Sequence, residues 1–485
     1  MISRRKEPHI AKSLKGPPII KFLLRFLPVL PGLFLLLPAC EKVADPLGDD
    51  RPAIHDVQVV ENPHNVLSAR VTVVAENAGE VYLRIEGDSL TRLSPAMPIQ
   101  NGTAVLPLLG LAPEKNYTIR AIARSERGAE SSSESLPFAT GALSPDMPRF
   151  EVLHKGEPQD SPLLIGLTQL DTGRPAYAGI LDNEGRFIWY RQFAGPVVDF
   201  QRQPNGNFTV FSNEAGQDPH FYELDLYGNI LNEYAARPQY VTGPHEIRLL
   251  AGGHVLFGRR QETVDLSGVG GRSDALVTTS VVELIRADGS ALYWDPLRYF
   301  RVEDAAADID ITAAEVNPWH GNAIEIDTDG HLLVSFRNCD EITKINAQNG
   351  EIIWRLGGKN NQFLFVDDPL TGFSHQHGVR RLPNGNIILF DNGNLHVPPQ
   401  SRAAEYELDE ANRVARLVWD YRDPRGVYGF ALGFAQRLDN GNTLINYGTA
   451  RKMVEVSPEG RIEWEADLQD STRFVYRALR IGSIY

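Results

Sequence analysis

The sequence predicts an all-β protein: a six-bladed β-propeller preceded by a small fibronectin type III or immunoglobulin-like β-sandwich. Three observations carry this. Glycine (42) and proline (32) are frequent and methionine (4) is scarce, and no long apolar period of the helical kind stands out after residue 40, a pattern of short strands and turns. Between Leu111 and Ala123 a tyrosine, Tyr117, follows a leucine-proline turn and precedes an alternating strand, as in the tyrosine corner of such sandwiches. From about residue 149 one unit recurs. An apolar strand meets an Asn-Gly, Asp-Gly or Gly-Gly turn, then come a second strand, a third ending in an acid, a turn glycine and a strand ending in an aromatic. Four strands per copy is the grammar of a propeller blade.

The elements follow in order. Residues 1–39 hold Arg4, Arg5, Lys6, Lys12, Lys15, Lys21 and Arg25 ahead of a proline-broken apolar run. That run is about half the length needed to span a bilayer and reads as an export signal. Its Leu37-Pro38-Ala39-Cys40 end resembles a bacterial lipobox, so Cys40 is the expected lipidation site, with ordinary cleavage nearby as the other reading. The protein is then exported, periplasmic or at the cell surface, and touches the membrane through a lipid anchor. Removing residues 1–39 takes away seven basic residues and one acid, so the formal charge falls from −14 to about −20. Such a surface argues against nucleic acid. With Cys40 acylated, Cys339 is the one thiol left, and it reads as a small packed residue rather than half of a disulfide.

Residues 40–52 are a polar tether and 53–141 the sandwich, read as a spacer or docking module. The propeller spans 149–485. Five copies of the unit are clear. A sixth begins at AGILDNEGRFIWY (178–190), whose missing outer or inner strand the C-terminal segment supplies. The stretch 262–279 interrupts one copy and is expected to be a lid or rim loop.

Within the repeats, polar residues return in register. His245 lies eight residues before Gly253, Asn322 eight before Gly330 and His377 eight before Gly385, with His320 and His375 each two residues further back in their copies. Residues two apart on a strand share a face, and equivalent positions in successive blades point to one centre. Val198 and Gly433, in other copies, are small and leave space there. Counting seven after the same glycines gives Arg260 and Arg337, one of which is expected at the mouth. A zinc site is disfavoured: no HxH pair has a third histidine at close spacing, and an arginine beside a dication is unfavourable. No serine elbow is present, and INAQNGEIIW, although similar to the tryptophan-docking repeat of quinoprotein propellers, comes without a calcium-binding carboxylate set. No metal or cofactor is expected. Histidines with an arginine suit a tetrahedral anion such as sulfuryl or phosphoryl. One imidazole can attack while another protonates the departing oxygen.

WHGNAIEIDTDGHLLVSFRN (319–338), GEIIWRLGGK (350–359), FSHQHGVRRLPNGNIILFDNGN (373–394), SRAAEYELD (401–409) and YRALRIGSIY (476–485) resemble the arylsulfotransferase family, exported bacterial propeller enzymes that use no nucleotide sulfate donor. The resemblance implies ping-pong transfer of a sulfuryl group from an aryl sulfate to a phenol through a sulfated histidine. By motif it implies His377 as nucleophile, His320 and Asn322 binding and protonating, Arg337 steadying the sulfuryl oxygens and His245 completing the ring. His375 has no required role in that pattern. The alternative is a non-catalytic, surface-anchored propeller lipoprotein acting as a binding or assembly platform. Dimerisation through the sandwich stays open.

Overall fold

Alternating burial along Ala69–Glu76 sends Ala69, Val71, Val73 and Ala75 inward and Arg70 and Glu76 outward. This is the period-two pattern of a sheet with one wet face. In the computed structural model, which describes residues 51–169 and 173–485, that strand pairs with Ala53–Glu61 and Thr103–Leu108. A second sheet is centred on Glu80–Gly87 and Asn116–Arg124. Its Val81, Leu83, Ile85, Ile119 and Ala121 close a shared core with the first sheet. The Tyr117 hydroxyl accepts the Ala112 N–H at 3.0 Å, folding the corner back on itself. The leader and Cys40 lie outside the described residues.

Among the described residues the chain is all-β, its helical content limited to single turns of 3-10 helix, and no helix is long and apolar enough to cross a membrane. Beyond residue 150, six antiparallel sheets are built on four strands each. The first joins Leu163–Gln169, Ala176–Leu181 and Phe187–Phe193 to the C-terminal strand Arg473–Arg480. The second runs from Val198–Arg202 to Ile230–Tyr234, the third from Val241–Leu250 to Ala291–Trp294, the fourth from Gly321–Ile326 to Ile352–Gly357. His377–Arg381 to Val414–Arg422 make the fifth, and Phe434–Arg437 to Ile462–Leu468 the sixth, extended by Phe150–Lys155. One end strand of each sheet lies against that of the next. The series runs Arg473–Arg480, Val198–Arg202, Val241–Leu250, Gly321–Ile326, His377–Arg381, Phe434–Arg437 and back to Arg473–Arg480. The C-terminal segment therefore supplies an inner strand.

Indole donors tie successive sheets together. Trp189 donates to Leu226 O, Trp294 to Gly350 O, Trp354 to Glu410 Oε2, Trp419 to Pro458 O and Trp464 to Asn183 O, all at 2.9–3.0 Å. Each links an outer strand to the last turn of the following sheet. The second sheet ends in Tyr234 instead, which bonds Glu223 of its own sheet. The stretch 262–279 differs from expectation. Within it 262–264 and 275–279 are paired strand, the ends of Gly253–Val264 and Ala275–Ile285, and 265–274 is loop around a single 3-10 turn. Its own Leu266, Ala275 and Val277 are buried, and Glu315–Trp319 adds in parallel.

Candidate active site

His245, Asn322 and His377 each sit five residues before the last paired residue of an inner strand: Leu250, Asp327 and Leu382. The three inner strands are neighbours, so the side chains converge. Pairing slips at this level in each strand, between Thr242 and Ile247, Gly321 and Ala323, and His377 and Arg380. Such bulges re-aim side chains beside functional sites. At His377 the irregularity needs Gly378, which has φ 64°; a Cβ there would lie 2.4 Å from the Phe434 ring.

The hydrogen bonds fix which nitrogen of each imidazole carries a proton. His377, 3% exposed, directs Nδ1 at Asn392 Oδ1 (2.6 Å) and His375 O (3.2 Å). Both are acceptors, so Nδ1 bears the hydrogen and Nε2 keeps its lone pair. Asn392 is itself locked, donating to Gly429 O at 2.6 Å and Leu432 O at 3.0 Å. His245 Nδ1 meets the Tyr476 hydroxyl at 2.9 Å, whose hydrogen goes to His245 O at 3.1 Å. Its Nε2 is likewise unprotonated. His320 is the opposite tautomer. Its Nδ1 accepts from Asn317 Nδ2 at 3.0 Å, which leaves the hydrogen on Nε2. The His245 and His320 rings meet edge to face, centroids 4.6 Å apart.

Burial first, and then neighbouring positive charge, hold all three imidazoles neutral. His245 is pushed down to about 3, by burial and then by His377, Arg259 and Arg477. His320 and His377 lie well below the ordinary imidazole value. After burial, His320 responds chiefly to His245, Arg337 and Arg259, and His377 to Arg337 and His320. The triad thus feels Arg337 at His377, and Arg259 and Arg477 at His245. Arg337 donates to Asn338 Oδ1 at 2.7 Å and Phe430 O at 2.9 Å, and the fork has further N–H groups for a ligand. Among the described residues the Arg259 guanidinium makes no hydrogen bond or ion pair, and the residue is exposed.

Beside the triad runs a buried ionic belt. Glu246 accepts from Arg380 and from Arg477 at 2.9–3.0 Å, Arg477 also binds Asp199, and Arg248 binds Glu325 at 2.8 Å. Burial works to raise the Glu246 carboxyl, but Arg380 and Arg477 overcome it and hold it down to about 2. Among the described residues no group of three or more His, Cys, Asp or Glu is arranged to hold a metal ion.

A family model described as arylsulfotransferase (ASST) matches residues 149–477. The chain belongs to the arylsulfotransferase family. An arylsulfate sulfotransferase of Lelliottia amnigena is 24% identical over 325 residues, 51% of this chain and 53% of that one. One from Escherichia coli O6:H1 is 21% identical over 359 residues, 57% and 58% of the two chains. The chain spans about half the length of the curated relatives it matches. Among solved structures, a protein of unknown function from Bacteroides caccae aligns at 14% identity and a TM-score of 0.43, covering 67% of this chain and all of that one.

In this arylsulfotransferase-family chain His245, His320, His377 and Arg337 act electrostatically on one another. Asn322 is 1% exposed and donates to Gln376 O at 2.7 Å, bracing the strand entry just before His377; its Oδ1 has no partner. His375 is 1% exposed and lies between Asp340 (3.1 Å) and Asp308 (3.3 Å). Cys339 is a packed thiol donating to Pro318 O. Arg260 is turned away, ion-paired with Asp295 at 2.7 Å and with Glu262. In that copy Arg259, not Arg260, acts on the imidazoles. The left-handed turn glycine equivalent to Gly330 and Gly385 is Gly252, φ 78°, not Gly253, and that hairpin loop is one residue shorter. Counted seven after Gly252, Gly330 and Gly385, the register reads Arg259, Arg337 and Asn392. Asn392 was legible in FDNGN, and Tyr476 in the terminal motif, but neither has a side chain that announces chemistry.

Proposed function

We propose that this protein transfers a sulfuryl group from an aryl sulfate to a phenol, without a nucleotide donor, by a ping-pong route through sulfated His377. The observation that carries the reading is the His377 tautomer. A neutral imidazole with Nδ1–H tied to Asn392 presents a lone pair at Nε2, beside Arg337, in a chain of this family. In the first half-reaction Nε2 attacks sulfur, the N–S bond forms and the bond from sulfur to the aryl oxygen breaks. Arg337 and Arg259 balance the sulfuryl oxygens. His320 points an N–H at the aryl oxygen. A neutral imidazole that gave up this hydrogen would become an imidazolate, so His320 serves as a hydrogen-bond donor and the phenoxide leaves as the anion. In the second half the acceptor, its proton already given to water, enters as the phenoxide, its oxygen attacks sulfur, and the N–S bond breaks, returning His377 to its neutral form.

The six cyclically contacting sheets support reading 149–485 as a six-bladed propeller with the triad at its axis. The corner at Tyr117 supports a fibronectin-like module over 53–141. Residues 1–39 export the chain in this reading, and Cys40 anchors it.

The test is a chromogenic aryl sulfate with and without a phenol and no nucleotide. Expected is phenol-dependent colour, abolished in His377→Ala, with an acid-labile adduct on His377 when donor alone is supplied. Because the leaving oxygen departs as an anion, the rate should fall steeply as the leaving phenol's pKa rises. An adduct on His375, or a rate indifferent to the leaving group, would overturn the assignment of roles.

A further inference from the structure

Above Arg337 sits a short segment, Tyr428 to Gly433, that carries two aromatic rings in the open. Phe430 is 55% exposed and Tyr428 36%, although phenylalanine side chains are ordinarily driven inward. The segment is not loose. Arg337 Nη2 and Asn394 Nδ2 both donate to Phe430 O, at 2.9 and 3.1 Å. Asn392, the residue that orients His377, holds Gly429 O and Leu432 O on either side, and Ser401 Oγ accepts the Gly429 N–H at 3.0 Å. The backbone tolerates no side chain at Gly429, where a Cβ would lie 2.1 Å from Tyr447 O, and Leu432 is left-handed at φ 62°. The ring is therefore displayed on a braced loop whose carbonyl is hydrogen-bonded to the arginine beside His377.

We propose that Phe430, with Tyr428 beside it, is the aryl-recognition platform of the site: a flat face on which the ring of the donor or acceptor stacks while Arg337 grips the sulfuryl group. This rests on the sulfuryl-transfer reading above. Stacked rings gain from offset and edge contacts that an alkyl chain cannot match. The carbonyl of the same residue braces the guanidinium, so ring seating and anion grip are set by one loop. In binding, aryl and alkyl sulfates would be told apart at this loop; in the chemical step, by the leaving oxygen.

Two measurements separate this from the reaction itself. The first is binding of a non-transferable aryl sulfonate, by calorimetry, to the wild type and to Phe430→Ala, Phe430→Leu and Phe430→Tyr. Expected is binding weakened about tenfold in Phe430→Ala and Phe430→Leu and restored in Phe430→Tyr. The second is KM for an aryl sulfate, with a short alkyl sulfate as its competitive inhibitor. Phe430→Ala should raise the aryl KM about tenfold, leave the alkyl Ki unchanged and hold kcat within about twofold. Unaltered sulfonate binding in Phe430→Ala, or no sulfonate binding by the wild type, overturns the platform. A platform upheld by calorimetry in a wild type without transfer activity would instead sink the proposed reaction.

Discussion

A single amide decides what His377 can do. With Asn392 in place the imidazole is held as one tautomer in one orientation. In Asn392→Ala both are freed, and misplacement of a reacting atom by about an ångström costs on the order of a hundredfold in rate. We expect kcat for donor desulfation to fall about that far, with the adduct still on His377. Acid dependence follows from the same residue. In the proposed reaction the neutral form attacks, and burial together with Arg337 holds its pKa well below 6.5. Activity should therefore stay flat as pH falls through 6.5 and drop only well below it. Arg337→Ala removes a positive neighbour, so the pKa rises and the acid limb moves upward toward 6.5. A limb that stays put in a pH–rate profile would mean that Arg337 does not act on His377. Arg259 makes a separate case. With no partner of its own it is free for an anion, and a charge-assisted contact implies a loss of about ten- to hundredfold in kcat/KM for the donor in Arg259→Ala. Arg260→Ala, outside the site, should leave that value unchanged.

At the scale of strands and hairpins, the sequence was easiest to read where periodicity and turn chemistry agree. The inner strands, the position of His377 and the return of the C-terminal segment were legible from Asn-Gly and Asp-Gly turns and alternating apolar residues. Arg259 was not, because Ala251-Gly252 closes a two-residue loop where Thr328-Asp329-Gly330 closes three, so counting from the wrong glycine lands one residue off. A slip of one on a strand changes the face. The ionic belt was also hidden, since Asp199, Glu246, Arg380 and Arg477 come from four separate stretches with no common spacing. The tryptophans make the element scale testable. Trp354→Phe removes a donor to Glu410 and part of a buried ring, so stability should fall by about 2–4 kcal/mol in urea titration. The junction after the second sheet lacks such a donor, and Tyr234 only meets the His254 ring at 5.0 Å. In hydrogen exchange, amides of Ile230–Tyr234 should open before those of the outer strands that end in tryptophan.

Taken whole, the repeat region is joined at its ends twice. Arg473–Arg480 completes the sheet begun at Leu163, while Phe150–Lys155 completes the one that ends at Leu468, so the first and last repeats cannot separate without breaking both. Arg477 adds an internal tie. From the C-terminal strand it reaches Asp199 of the second sheet and Glu246 of the third, and Arg380 of the fifth shares Glu246. Buried ion pairs add little net stability over apolar residues of the same volume, because desolvation offsets the attraction; removing one partner, however, strands the other charge. Arg477→Met leaves Asp199 without its guanidinium and Glu246 with one of two. We expect a loss of about 3–5 kcal/mol, with one cooperative urea transition and no selective fraying of the C-terminal strand. Arg477→Met combined with Asp199→Asn and Glu246→Gln should recover part of that loss, since the stranded charges are gone. If the triple variant is as unstable as the sum of its single changes, the belt holds the ring by local packing, and charge balance across the repeats is not what fixes its closure.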